Sequence, residues 1–227
     1  KHLFFLPGGA YLTQPNSFHW QFINNLTHEH QLSATMVDYP KAPNYGFRNT
    51  HQVVLEAFNE ISRRHSDQEM ILIGDSAGGG LALSLLQILR SHHQKPIPTK
   101  TILISPWLDI SLSNPGIRDL QKRDNLLSRE VLLRAGASYS RGEDPHHPLL
   151  SPIYGDLSYL GSIQVLVGTE EILYPDCLAL AEKIKGVGGS NLELEVGKGM
   201  FHDWVIFPLP EAFQARAQII DFIFRNS

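Results

Sequence analysis

Residues 70–83 read Met-Ile-Leu-Ile-Gly-Asp-Ser-Ala-Gly-Gly-Gly-Leu-Ala-Leu. An apolar strand pattern runs into Gly74-Asp75-Ser76-Ala77-Gly78 and out into a helical one, the G-x-S-x-G arrangement of a nucleophilic serine on a sharp strand-to-helix turn. Glycines two before and two after the serine leave room for a turn that lifts Ser76 Oγ above the sheet edge. A helix N-terminus then lies beneath it, and the backbone N–H of Ala77 points where an oxyanion would form. A Gly-rich turn also suits a phosphate, but the chain contains neither G-x-x-x-x-G-K-[ST] nor G-x-G-x-x-G. Covalent acyl transfer through a serine is the chemistry this spacing favours.

A serine of this kind needs a base. Gly197-Lys-Gly-Met-Phe-His-Asp-Trp204 follows the last strand pattern, and its glycines let the loop swing His202 over the sheet toward Ser76. The other histidines named as alternatives, His28, His30, His65, His92, His93, His146 and His147, sit among polar residues, where solvated surface is their expected role. The pairs His92-His93 and His146-His147 lack HExxH-type spacing, so no metal is expected. The imidazole in turn needs a carboxylate to orient it, from the loop after the preceding strand. Gly168-Thr-Glu-Glu-Ile-Leu-Tyr-Pro-Asp176 offers Glu170, Glu171 and Asp176, and Asp109 follows an earlier strand. Glu171 is preferred. Asp176, just after Pro175, suits a helix N-terminus for ordinary reasons. Oxyanion donors come in more than ones, and the Leu6-Pro-Gly-Gly-Ala-Tyr11 loop supplies Gly8, Gly9 and Ala10 beside Ala77. Tyr11, Trp107, Met200, Phe201 and Trp204 are placed to shape acyl or alcohol pockets.

These groups need a scaffold, and the chain writes one in alternation. β-rich runs at residues 2–6, 33–38, 70–73, 101–105, 163–167 and 192–196 alternate with helical patterns at 18–26, 53–61, 81–89 and 178–184. Val54, Phe58 and Ile61 show the three- and four-residue spacing of an amphipathic helix. The alternation predicts a mostly parallel sheet covered by helices on both faces. Residues 111–162 break the rhythm around a short helical pattern at 129–137 and are expected as an excursion above the C-terminal strand edge, within one domain spanning 1–227.

The remaining arithmetic excludes other classes. The chain has 227 residues, 42% hydrophobic and 19% charged, enough for a sizeable core. Lys and Arg number 19 against 23 Asp and Glu, a net charge of -4 with no basic run, so nucleic acid is not an expected partner. Its apolar runs are strand-sized and fall short of the roughly 20 residues of a membrane span. One cysteine, Cys177, allows no intrachain disulfide, and a cytoplasmic location is expected. The chain begins at Lys1 without a leader pattern, which suggests that a segment has been removed or that the numbering starts inside a longer chain.

Taken in order, these motifs resemble the hormone-sensitive-lipase-like family of α/β-hydrolases, also called the α/β-hydrolase-3 group, over almost the whole chain. Gly74-Asp-Ser-Ala-Gly-Gly79 matches the family's elbow, and Asp38-Tyr-Pro-Lys-Ala-Pro43 is similar to its Asp-Tyr-Arg-Leu-Ala-Pro stretch. Ser105-Pro-Trp-Leu-Asp109 and Ser151-Pro152 also recur there. The family acid is the fourth residue of Gly-x-x-Asp-x-Leu, which falls on Glu171, and the family histidine falls on His202. The resemblance implies strand order 4-3-5-6-7-8 in the family's numbering and a Ser76-His202-Glu171 triad. It implies hydrolysis of small or short-chain carboxylic esters through an acyl-enzyme, with a small-molecule ester as partner and no cofactor. Two departures stand out. The family's His-Gly-Gly-Gly appears as Pro7-Gly8-Gly9-Ala10, so a proline must brace the loop by backbone rigidity alone. Only six residues precede Pro7, where the family carries a longer segment, so that segment is absent or the acyl pocket is unusually open. A non-catalytic ligand-binding protein is the rival of another class, with the intact His202 against it. A serine peptidase or acyltransferase shares the same acyl-enzyme chemistry.

Overall fold

The computed structural model describes residues 1–91 and 97–225. Six strands form one sheet: β1 (His2–Leu6), β2 (Ser33–Met36), β3 (Met70–Asp75), β4 (Lys100–Ile104), β5 (Gly161–Gly168) and β6 (Ser190–Gly197). Their order is β2-β1-β3-β4-β5-β6 and every adjacent pair is parallel. In the family's strand numbering this is the expected 4-3-5-6-7-8, so the α/β-hydrolase fold read from the sequence is the fold observed.

Parallel strands require crossovers, and helices supply them. They are α1 (Ser17–His28), α2 (Phe47–Arg64), α3 (Ser76–Ser91), α4 (Ile117–Leu120), α5 (Arg129–Ser140), α6 (Tyr174–Lys185) and α7 (Pro210–Phe224). Covered on both faces, the central strands are apolar at nearly every position rather than alternating. Phe4 and Leu6 of β1, Leu72 of β3, Leu103 of β4 and Val165 of β5 face α2, α3 and α6. Leu3, Phe5, Ile71, Ile73, Ile102 and Ile104 face the other way, onto α1 and α7.

The sequence reading places no helix after His202, yet α7 closes the second face with Ala212, Ala215, Ile219, Phe222 and Ile223. Lys100, buried at the start of β4, donates to the carbonyls of Phe222 at 2.6 Å and Ile223 at 3.2 Å, where a helix C-terminus leaves acceptors open. The 111–162 excursion sends Ile117, Leu120, Leu132, Ala135, Tyr139, Leu150, Ile153 and Leu157 into the same buried cluster as the sheet. Among the described residues no helix is long and apolar enough to cross a membrane.

Candidate active site

Strand β3 ends at Asp75 and α3 begins at Ser76 with nothing between them. So abrupt a turn puts Ser76 at φ 52°, a left-handed conformation costing a non-glycine residue about 1–2 kcal/mol. A Cβ on Gly74 would run into the Gly78 carbonyl oxygen, and one on Gly78 into that of Leu6. The two glycines are therefore what allows strand, turn and helix to close on β1.

The loop after β6 brings His202 Nε2 to 2.9 Å from Ser76 Oγ. On its far side His202 Nδ1 lies 2.7 Å from Glu171 Oε2, a carboxylate fully buried in the turn between β5 and α6. In the neutral ring, with the Nδ1 proton given to Glu171, Nε2 offers its lone pair to the Ser76 hydroxyl. Glu171 Oε1 accepts from Ser105 Oγ and from the Gly168 N–H, both at 2.7 Å, which fixes the carboxylate plane. The other two carboxylates weighed from the sequence hydrogen-bond elsewhere. Asp109 accepts from Ser111 Oγ at 2.6 Å, Ser113 Oγ at 2.8 Å and Tyr154 Oη at 3.0 Å. Burial would raise its carboxyl, but those hydrogen bonds hold it below its ordinary value. Asp176 accepts from Asn114 Nδ2 at 2.9 Å, and burial pushes it up to about 6.

The Pro7 loop lies against the elbow: a Cβ on Gly8 would strike the Asp75 carboxylate and crowd Ser76 Cβ. Gly9 at φ 122° and Ala10 at φ 52° turn the backbone. Among the described residues the N–H groups of Gly8, Gly9 and Ala10 find no protein acceptor, and that of Ala77, in the first turn of α3, has no partner within the helix. Of these residues Gly8 is the one whose backbone the structure sets directly against Ser76. Rigidity is not the only brace of this loop, because buried Tyr39 Oη donates to the Pro7 carbonyl at 2.6 Å.

Three of the five expected pocket aromatics and neighbours are core instead. Tyr11 stacks on Tyr139 at 3.8 Å and on Trp107 at 5.7 Å, all three buried. Trp204 joins the cluster beneath α1 and α7. Large aromatic surfaces gain more from closing against the sheet than from lining a solvated cleft. Met200 and Phe201 are half-buried and pack against the edge of that same cluster.

Sequence reasoning passed over Ser105, Tyr39, His19 and Asp203. His19 Nε2 lies 3.2 Å from buried Asp75 Oδ2. Asp203 Oδ2 lies 3.1 Å from His202 Nε2. Burial alone would lower the His202 imidazole, but Asp203 and then Glu171 hold it well above its ordinary value. Tyr39, Ser105 and Asp203 stand inside recognisable motifs, in Asp38-Tyr-Pro, at the head of Ser105-Pro-Trp-Leu-Asp109 and directly after the histidine, and that adjacency was the available signal. Among the described residues no three His, Cys, Asp or Glu side chains converge on a metal-sized point. His92 and His93 lie outside the described residues.

A family model described as alpha/beta hydrolase fold matches residues 3–206. An esterase of Acinetobacter venetianus is 31% identical over 225 residues, covering 97% of this chain and 73% of that protein. An acetyl-hydrolase of Streptomyces hygroscopicus is 32% identical over 205 residues, covering 90% of this chain and 68% of its own. The crystal structure of an esterase from the bacterial hormone-sensitive lipase family superposes with a TM-score of 0.92 at 30% identity, covering 98% of this chain and 75% of that one.

Proposed function

The chain belongs to the alpha/beta hydrolase family whose model spans residues 3–206, and from that membership we propose that it is a serine carboxylic ester hydrolase acting on small or short-chain acyl esters. Ser76 Oγ attacks the ester carbonyl while His202 Nε2 takes its proton, and Glu171 holds the tautomer that makes this possible. The N–H groups of Gly9 and Ala77, with Gly8 or Ala10, stabilise the oxyanion. His202 then returns the proton to the leaving alkoxide, and water repeats the sequence on the acyl-enzyme. The observation that carries the reading is the unbroken line from Ser76 Oγ through His202 to Glu171, at 2.9 Å and 2.7 Å. The acyl-size preference draws support from the acetyl-hydrolase relative.

The reading includes one domain over 1–227, supported by the excursion's share in the sheet's own core. It also includes a reducing, cytoplasmic location, supported by Cys177 being a buried free thiol. The test is turnover of an aryl acetate and an aryl butyrate by the wild type and by Ser76→Ala. The substitution is expected to lower kcat by about 10^4- to 10^6-fold with the fold intact. An unchanged rate overturns the assignment of the nucleophile, and cleavage of peptides but not of aryl esters overturns the substrate class.

A further inference from the structure

His202 makes two short contacts through one nitrogen. Its Nε2 lies 2.9 Å from Ser76 Oγ and 3.1 Å from Asp203 Oδ2. A triad requires only the first. Asp203 is nonetheless held at that nitrogen by its backbone, at φ 57° and ψ 21°, and by its own N–H donating to Ser105 Oγ at 3.1 Å. Its other oxygen, Oδ1, is buried without a hydrogen-bond partner among the described residues. The charged and titratable groups around it are His202 in its own loop, Glu171 from the β5–α6 turn, Asp75 from the end of β3 and His19 from α1. A carboxylate desolvated in this way, with one oxygen orphaned, is costly to keep, and its one close charged contact is with the reacting nitrogen, at ion-pair distance.

The chemistry follows from counting protons. With Nδ1–H given to Glu171, a neutral imidazole shows only a lone pair at Nε2, and a lone pair does not attract a carboxylate. The Nε2 to Oδ2 contact therefore needs a proton between the two atoms, and while that proton is present Nε2 cannot accept another from Ser76. During attack the Ser76 O–H bond breaks, its proton forms the Nε2–H bond, Oγ bonds the acyl carbon, and the carbonyl electron pair moves onto oxygen. The new imidazolium then presents Nε2–H to Asp203 Oδ2 as well as to the leaving oxygen.

We propose that Asp203 is a positioning residue acting on His202 at its reacting nitrogen: it retains one proton there at low pH, which silences Ser76, and when ionised it stabilises the imidazolium formed during attack. The inference rests on the serine-hydrolase reading above. It fits the direction in which burial drives the Asp203 carboxyl, up to about 7, against the pull of His202 and with that of Asp75.

The experiment is the rate at which a fluorophosphonate probe labels Ser76, and kcat/KM for an aryl acetate, from about pH 5 to pH 9, in the wild type, Asp203→Asn and Asp203→Ala. Both variants are expected to move the acid limb to lower pH by about one to three units, the range for a nearby opposite charge. Their plateau kcat should fall roughly tenfold, as expected for losing one hydrogen bond to a charge. A structural role would lower the plateau and leave the limb where it was, and that result overturns the proposal. Should both variants fail to fold, the His202 ring resonances of the wild type decide. Two titration steps, as expected of a coupled pair, support the shared proton, and a single step overturns it. A wild type that is not labelled at any pH overturns the serine-hydrolase reading itself, a result distinct from an unmoved limb.

Discussion

Ser105 stands one residue past β4 at φ 43°, and it holds two parts of the site with one hydroxyl. It donates to Glu171 Oε1 at 2.7 Å and accepts from the Asp203 N–H at 3.1 Å. Glu171 keeps the Gly168 N–H and His202 without it, so Ser105→Ala should tilt the carboxylate rather than release it. A hydrogen bond to a buried charge is worth about 1.5–3 kcal/mol, and a roughly tenfold lower kcat with a measurable fall in Tm is expected. A loss as large as that of Glu171→Gln would show that Ser105 does more than orient. Glu171→Gln itself removes the charge that sets the His202 tautomer and should lower kcat by about 10^3- to 10^4-fold. Asp176→Asn should cost little, because Asp176 answers Asn114 and not the imidazole. The opposite ranking in steady-state kinetics would move the acid to Asp176. At this scale the sequence was informative wherever one residue type in one spacing had one use, as with Ser76 and His202. It was silent on Ser105 and Asp203, whose roles depend on neighbours 98 positions apart in the chain.

At the scale of elements, the Pro7–Ala10 loop, proposed above to supply the oxyanion donors, is a joint between β1 and the segment that follows β2. Tyr39 Oη reaches the Pro7 carbonyl at 2.6 Å, so a side chain supplies part of the support that proline rigidity would otherwise provide alone. If both brace the same turn, Tyr39→Phe and Pro7→Ala should each lower kcat, by at most the roughly 10^2- to 10^3-fold of losing a whole donor. KM should stay nearly constant, since the contact strengthens only in the transition state. The double variant should fall short of the product of the two losses, as expected for residues sharing one structural task. A full product in a double-mutant cycle, or a rise in KM alone, would separate Tyr39 from the oxyanion loop. The strands and most helices were legible because their periods are written locally. The C-terminal α7 was written as clearly, with Pro210 opening it and Ala212, Ala215, Ile219 and Ile223 on one face. It lies beyond the loop that carries His202, the last element the sequence reading placed. Tyr11 and Trp107 differ from the sequence reading for another reason: Tyr11 is turned inward by stacking on Tyr139 and Trp107, contacts that its neighbours in sequence do not announce.

For the whole molecule, backbone strain and buried charge are concentrated where the chemistry is. Among the described residues nine non-glycine residues have positive φ, and five of them, Ala10, Tyr11, Ser76, Ser105 and Asp203, belong to the site or its supporting loops. Strain of about 1–3 kcal/mol apiece persists only where the surroundings over-determine it, so the two packed faces of the sheet must hold these turns. That reserve depends on pH through histidines remote from Ser76. His51 of α2 donates from Nδ1 to the Phe47 carbonyl at 2.7 Å and meets Ser84 Oγ of α3 at 2.8 Å through Nε2. Burial lowers its pKa to about 4. The folded value lies below the unfolded 6.5, so as pH falls from 6.5 the unfolded chain binds a proton that the folded chain refuses. Stability is therefore lost progressively down to about pH 4 and levels off below it, by on the order of 3 kcal/mol for this ring. His2, also lowered to about 4 by burial first, acts in the same direction. His202 and His19 act oppositely, since their raised values give stability that is present below 6.5 and lost as pH rises through their folded pKa. The total profile is thus a difference of opposing terms, and only a comparison isolates one of them. His51→Gln keeps a donor and an acceptor but cannot titrate, so its urea-unfolding free energy should fall less steeply than the wild type's between pH 6.5 and 4. Parallel curves over that interval would mean that His51 is protonated in the folded state and that the α2–α3 contact is not the acid-sensitive one.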